Sequence, residues 1–447
     1  MSNEQLVMNN EQLTNLPLQS SNPPILQSSN PPAFQPSSLP AFQPSNLPTF
    51  QPLGLYLHIP WCATRCIYCD FNTYIDGTAD LKARYQAALR REIREAGAVL
   101  ERPALSTIFF GGGTPTALAP EQLIELVDTV RASFALEPEA EITTEANPGT
   151  LTIEYLRALR QGGINRLSLG VQSFDDRELA FLSRLHNAEV ARQAVKQARR
   201  AGFDNVSLDL IFNLPDQTVA QWQYSLTEAL RLEPEHLSIY SLIVEAGTPL
   251  HRQVSQGQIP APDDDLAAEM YAVTLETLAT AGYAQYEISN WARAGAEADW
   301  ETPRLASAHN LIYWRNQPYL GLGAGAYGTL NGQRWANVKR PQAYIANVEA
   351  GAGLGPARDE QTVETIPPAT AMVEEMMLGL RLVREGVGAA EFEARFGLAL
   401  SRHYAQAIDF GLKHELLEWI EAPAGPRLRL TRSGRFLANQ VTLQFME

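Results

Sequence analysis

Residues 55–69 read LYLHIPWCATRCIYC. The first five form a short apolar run of the kind that makes a strand. Just beyond it come Cys62, Cys66 and Cys69, the only three cysteines in 447 residues. An odd number so closely spaced is no disulfide framework, and the rest of the chain supplies no partner. Thiols gathered this way are ligands for a metal or a cluster. Four thiolates would close a tetrahedral zinc or an ordinary iron–sulfur cluster. Three on a [4Fe–4S] cluster leave one iron without a protein ligand, open to an amino acid-like chelator. A zinc site needs a fourth ligand, for which His58 is the candidate, but zinc sites usually pair CxxC units rather than use a CxxxCxxC spacing.

Outward from this stretch a βα rhythm runs on. STIFF (106–110), EITTE (141–145), RLSLGV (166–171), NVSLDLIF (205–212) and HLSIYSLIV (236–244) read as further strands. Between them lie stretches of helical spacing such as LKARYQAALRREIREAG and EQLIELVDTVRASF. Repeated units of this kind predict parallel strands with crossover helices, closed as a barrel or open as a doubly wound sheet. Each strand also leads into a polar or glycine-rich motif: HIPWC, GGGTP, EANPG, QSF, NLP after an internal Asp209, and EAGTP. An open sheet concentrates its site at one switch point. Loading every strand end is the pattern of a βα-barrel, so the expected fold is α/β, a partial (β/α)6 barrel.

CxxxCxxC after the first strand, with GGGTP after the second, resembles the radical S-adenosylmethionine superfamily over residues 54 to about 330. In that superfamily the methionine amino and carboxylate groups chelate the open iron. An electron, from a donor such as flavodoxin or ferredoxin, cleaves a carbon–sulfur bond and releases a 5′-deoxyadenosyl radical. Within it, GLYLHIPWCATRCIYCDF, FFGGGTPT, TEANPGT, GVQSF, LSRLH, DLIFNLPDQT and YSLIVEAGTPL resemble the oxygen-independent coproporphyrinogen oxidase group. The resemblance implies that Cys62, Cys66 and Cys69 hold the cluster. It implies also that Tyr56, Gly112, Gly113, Thr114, Glu145, Gln172, Arg184 and Asp209 bind S-adenosylmethionine, as one molecule or two. The residue types suit those roles. Glycines 111–113 let backbone approach a ligand. Glu145 can accept from an ammonium, and Arg184 can hold a carboxylate. Gln172 and Asp209 suit ribose hydroxyls or a second ligand, and Tyr56 and Tyr68 flank the cluster loop. The alternative for Arg184 or Gln172 is a satisfied polar group on the barrel rim.

Two departures point to one branch. The oxidases carry a further Cys two residues after the third, where this chain has Phe71. Residues 309–314 read HNLIYW, followed by YLGLGAGAYG at 319–328. Both resemble the heme-chaperone branch, the HemW type, which implies heme binding and transfer to an acceptor protein rather than porphyrinogen decarboxylation. His309, with a nearby Trp and Tyr, can ligate iron and stack on a macrocycle. It can equally be a buried hydrogen-bonded support for the barrel mouth. His58 is a second candidate for a heme ligand. GLGAGAYG lacks the strand–helix context of a dinucleotide loop and suits close backbone packing over S-adenosylmethionine, with Leu330 near an adenine contact in relatives.

Four segments are expected. Residues 1–51 repeat Gln, Ser, Asn and Pro and are read as a disordered tail. Residues 52–300 make the barrel, and 301–360 a connecting segment with the hexapeptide. Residues 361–447 make a small helical, winged-helix-like domain, with HYAQAIDFGLKHELLEWI continuing a helical pattern before a short β-pair read in RLRLT and SGRFLANQVTLQF. A net charge of −15 argues against a nucleic-acid or anionic-membrane surface. No apolar run is long enough to span a bilayer, and no Lys or Arg precedes Arg65, as a secretory or transit segment would require. The expected location is the cytoplasm.

Overall fold

A computed structural model describes residues 53–446 apart from Asp76 and Leu354; the expected tail lies outside them. Six parallel strands run β1 (Leu53–Ile59), β2 (Ala104–Gly112), β3 (Ala135–Ala146), β4 (Arg166–Gln172), β5 (Val206–Phe212) and β6 (His236–Ser241), side by side in that order. Helices return the chain between them, among them α1 (Ala79–Val99), α2 (Pro120–Ser133), α3 (Ile153–Gln161), α4 (Asp176–Phe181), α5 (Ala188–Arg200) and α6 (Val219–Arg231). Then come α7 (Pro249–Ser255) and α8 (Asp264–Thr280), and β7 (Tyr283–Glu287) and β8 (Asn290–Arg293), which extend the sheet antiparallel past β6. The sheet is open rather than closed: a partial barrel.

Residue parity explains both faces of the sheet. Side chains alternate across a strand. Leu55, Leu57, Ile108, Phe110, Ile142, Leu167, Leu169, Leu208, Leu210, Leu237 and Ile239 all point outward into one buried apolar core under the helices. The alternate residues line the lumen and are largely polar: Tyr56, His58, Thr107, Glu141, Glu145, Arg166, Ser168, Ser207, Asp209 and His236. Bonds between neighbouring strands follow the shared face, as in Ser168 Oγ to Asp209 at 3.1 Å and Ser207 Oγ with His236 Nδ1 at 2.8 Å.

The stretch 301–360 does more than connect. After α9 (Ala308–Trp314), β9 (Tyr319–Leu322) pairs parallel with β1, from Gly54↔Tyr319 to Leu57↔Leu322. Next, β10 (Tyr327–Leu330), β11 (Gln333–Ala336) and the short β12 (Glu364–Thr365) continue that edge, with α10 (Pro341–Ala350) before β12. No long apolar run marks β9, which is why its pairing escapes a reading by hydropathy.

The C-terminal part has its own apolar core, built on Met376, Phe392, Leu428, Leu430 and Phe445. Its elements are α11 (Pro368–Gly379), β13 (Val387–Gly388), α12 (Ala389–Phe396), α13 (Leu400–His403), α14 (Ala405–Lys413), β14 (Leu417–Ala422), β15 (Gly425–Leu430), α15 (Arg432–Phe436) and α16 (Ala438–Leu443). The expected helical continuation through LLEWI is replaced by a turn and strand β14, because Glu415 takes a left-handed conformation, φ 57°. The expected β-pair of RLRLT with SGRFLANQVTLQF does not form: RLRL belongs to β15, whose partner is β14, and residues 433–445 beyond the hairpin are largely helical.

Candidate functional site

The cysteine loop leaves β1 and packs against the ends of its neighbours. Gly113 N–H donates to Ile59 O (2.8 Å) and Thr114 N–H to Trp61 O (2.7 Å), so the glycine loop after β2 lies along the segment that enters the cysteines. Gly112 has φ +107°, and a Cβ there would run into the His58 ring, so glycine is required. Thr114 Oγ1 lies 3.5 Å from Cys62 Sγ and accepts from Asn147 Nδ2 at 2.8 Å. Asn147 Oδ1 in turn accepts from Arg184, whose guanidinium also donates to Gly170 O (2.7 Å) and to Cys66 Sγ (3.2 Å). A cation on one sulfur beside two further thiols suits the negative charge of a cluster held by thiolates. Arg184 Nε is buried with no partner, a donor to spare for a ligand. Burial raises the Cys62 and Cys69 thiols, so the uncharged thiol is favoured until a metal takes the proton's place. Tyr68 packs against Leu182, Ile211 and Leu242 beside Cys66, and its phenol is pushed up by burial.

The lumen opens above into a cavity of about 310 Å³ lined by Tyr56, His58, Phe71, Asn72, Gly112, Glu145, Tyr313, Tyr319 and residues 325–327. One wall is the glycine loop with Glu145, whose Oε2 accepts from Gly112 N–H at 3.2 Å. Burial, then the neighbouring Asp209 carboxylate, pushes Glu145 up to about 8. Burial also raises Asp209, which accepts from Ser168. Two buried acids close together invite a cationic ligand. Aromatic rings line much of the rest: Tyr56 beside Gly111 and Glu145, with Phe71, Tyr313, Tyr319 and Tyr327. Gln172 turns at φ 69° and leans over Gly170 beside Arg184. Gly325, Ala326 and Tyr327 from the glycine-rich turn lie on the cavity wall, whereas Leu330 packs against the apolar core.

His58 is fully engaged: Nδ1 pairs with Tyr56 Oη (3.0 Å) and Nε2 with Asn72 O (2.9 Å). It has no free nitrogen with which to serve as a zinc or heme ligand. Asn72 is a fastening that the sequence did not suggest. Its amide donates to Ala324 O and Lys339 O, both at 3.0 Å, and so ties the cysteine loop to the turn after β9 and to the segment after β11.

The hexapeptide divides by face. His309 is 1 % exposed, with Nδ1 bonded to Thr107 Oγ1 (2.7 Å) and Nε2 to Tyr313 Oη (2.8 Å). Its ring stacks on Phe109 at 5.1 Å, and burial lowers it to about 3, so it is neutral. Trp314 points away, under Arg381 of the C-terminal part at 4.4 Å. The expected grouping of His, Tyr and Trp around one macrocycle therefore does not form. Also unforeseen were Asn147, Arg166 and Ser168. EANPG named the first without a role, and the parity of β4 was the available signal for the other two.

A partial βα-barrel whose mouth carries a three-cysteine loop, a glycine loop and buried acids defines the class: a radical S-adenosylmethionine protein. Comparison with known proteins agrees. Residues 56–229 match the Radical SAM superfamily, and residues 366–437 match the HemN C-terminal domain. Coproporphyrinogen III oxidase (HemN) from Escherichia coli superposes with a TM-score of 0.73 over 91 % of each chain at 23 % identity, a likeness of fold. The chain is 40 % identical over 390 residues to heme chaperone HemW of Mycobacterium tuberculosis, covering 87 % of this chain and 93 % of that one. Against HemW of Bacillus subtilis the figure is 38 % over 394 residues, 88 % and 98 % of the two chains. The chain belongs to the HemW family. Membership of the radical SAM superfamily brings a [4Fe–4S] cluster and S-adenosylmethionine as cofactors. Among the described residues, no helix is long and apolar enough to cross a membrane.

Proposed function

We propose that this protein is a cytoplasmic heme chaperone, which binds heme beside its radical-type site and passes it to an acceptor protein. Cys62, Cys66 and Cys69 hold the cluster. Glu145 takes the methionine ammonium, Gly112, Gly113 and Thr114 supply close backbone, and Arg184 screens the thiolates and faces the carboxylate. Tyr56, Tyr68, Gln172 and Asp209 complete the S-adenosylmethionine site. When bound, cluster and cofactor supply reductive cleavage of a carbon–sulfur bond, the electron coming from a flavodoxin- or ferredoxin-like donor. The chain's own part is to orient the ligands and keep water out.

The observation that carries the heme reading is the aromatic lining of the cavity, Tyr56, Phe71, Tyr313, Tyr319 and Tyr327, with Phe71 64 % exposed at the lip. Such a surface stacks a flat macrocycle. Phe71 also offers no thiol where the oxidases carry one. The test uses anaerobically reconstituted protein titrated with hemin and, separately, supplied with coproporphyrinogen. Saturable hemin binding without turnover is expected. Conversion of the porphyrinogen at about 1 s⁻¹ or faster, an ordinary enzymatic rate, would overturn the proposal.

A further inference from the structure

The hexapeptide's two lumen-facing residues are not equivalent. His309 and Tyr313 lie four apart, on one face of α9, which puts them in contact. His309 does not reach the cavity: it is buried against Phe109, and both ring nitrogens are taken. To ligate iron it would have to abandon Thr107 or Tyr313 and leave a buried polar group unpaired. Tyr313 does line the cavity, between Tyr56 and Glu145 on one side and Tyr319 on the other, whose ring meets it edge-on at 4.7 Å. A neutral imidazole offers one donor and one acceptor. In the tautomer that carries its proton on Nδ1 and gives it to Thr107, Nε2 accepts the Tyr313 hydroxyl proton and the phenol oxygen is left as an acceptor for a ligand.

We propose that Tyr313, not His309, is the residue of HNLIYW that touches heme, and that His309 is its positioning residue, held by Thr107 and Phe109. The inference rests on the chaperone reading above. Tyr313 contributes a ring edge to the macrocycle and an acceptor oxygen to a polar edge of the ligand. His309 fixes the rotamer and the direction of the hydroxyl proton.

The experiment is a double-mutant cycle on the cluster-loaded protein, read by hemin titration and by the heme absorption spectrum, with S-adenosylmethionine affinity measured in parallel. Tyr313→Phe keeps the ring and removes the oxygen. It is expected to weaken hemin roughly 3- to 10-fold, the worth of one hydrogen bond, and to shift the spectrum, while S-adenosylmethionine affinity stays within about twofold. In the Tyr313→Phe background, His309→Gln is expected to weaken hemin no further, because a residue acting through a lost group has nothing left to act on. The glutamine fills the site, and thermal melts verify folding. The inference is overturned if Tyr313→Phe binds hemin as the parent does, if the loss appears in S-adenosylmethionine instead, or if His309→Gln adds a further loss. Parent protein that binds no hemin overturns the chaperone reading itself and takes this inference with it. The remaining outcomes separate the two.

Discussion

Glu145 shows at the scale of one side chain how a binding site is stored as instability. Its carboxyl is raised to about 8 by burial, with Asp209 adding to it. In the unfolded chain the same group ionises near the ordinary carboxylate value. Between those two pH values the folded, ligand-free protein keeps a proton that the unfolded chain has lost, so stability falls as pH rises through that window and levels off above about 8. Glu145→Gln is expected to flatten this slope in melts of ligand-free protein and to stabilise it at pH 8. The same change weakens S-adenosylmethionine, since a charge-assisted bond of about 1.5–3 kcal/mol is lost. In the parent, a bound ammonium drives the proton out, so calorimetry near pH 7 in buffers of different ionisation enthalpy should register proton release. Absence of release, with unchanged affinity in the variant, places Glu145 off the ligand. Glu145 was legible in the sequence because it ends a strand beside a proline–glycine turn. Asn72 was not: it lies in a loop, and its partners Ala324 and Lys339 are remote in the chain. Periodicity does not reveal such long-range pairs.

At the scale of an element, α9 depends on β3. Glu141, facing the lumen, accepts from the backbone N–H groups of Ala308 (3.1 Å) and His309 (3.2 Å) and from Ser307 Oγ (3.4 Å). The carboxylate thus satisfies the exposed donors of a helix start and meets its positive end. Arg166, 2 % exposed, lies 3.8 Å away and balances the charge. Glu141→Ala is expected to cost about 3–5 kcal/mol in denaturant unfolding, since it strands a buried guanidinium as well as the helix end. Tyr313→Phe, four residues on in the same helix face, leaves His309 Nε2 unpaired and should cost about 1–3 kcal/mol; a loss equal to that of Glu141→Ala would show that the cap is not what holds α9. The six parallel strands were readable from apolar runs ending in polar motifs. The hexapeptide was readable as a motif but not as a plug in the lumen, because its face assignments depend on which residues of β2 and β3 point inward.

For the whole molecule, the C-terminal part meets the barrel through ion pairs as well as apolar contacts: Leu382 joins Tyr286, Ala306 and Leu311 in one buried cluster, and Phe436 meets Tyr271 edge-on at 5.1 Å. Arg381 meets Glu287, whose side chain is fully buried, at 3.2 Å and lies over Trp314. Arg315 pairs with Glu385 at 2.5 Å. Burial raises the Glu287 carboxyl, and the Arg381 guanidinium opposes that shift. Arg381→Ala removes the charge partner of that buried carboxylate, which keeps only Ser289 N–H and the Asn290 amide, and is expected to cost about 3–5 kcal/mol. The domain should then open before the barrel unfolds, giving new limited-proteolysis cuts between residues 351 and 367 while hemin binding by the intact chain persists. Unfolding in a single step without such cuts would mean that the two parts stand or fall together. The sequence announced a separate C-terminal unit by its change of texture, but the interface charges are scattered from 287 to 435 and carry no local signature.

The pairing of β9 with β1 sets a timetable. Strand β1 leaves the ribosome early, yet one of its two neighbours is made only after every other barrel strand, and Asn72 cannot fasten the cysteine loop until Ala324 and Lys339 exist. Non-local closures of this kind are slow. Through most of synthesis the cysteine loop therefore stands beside an open seam, accessible to whatever delivers iron and sulfide. The last strand to dock closes that seam and fixes the time before which loading is easiest.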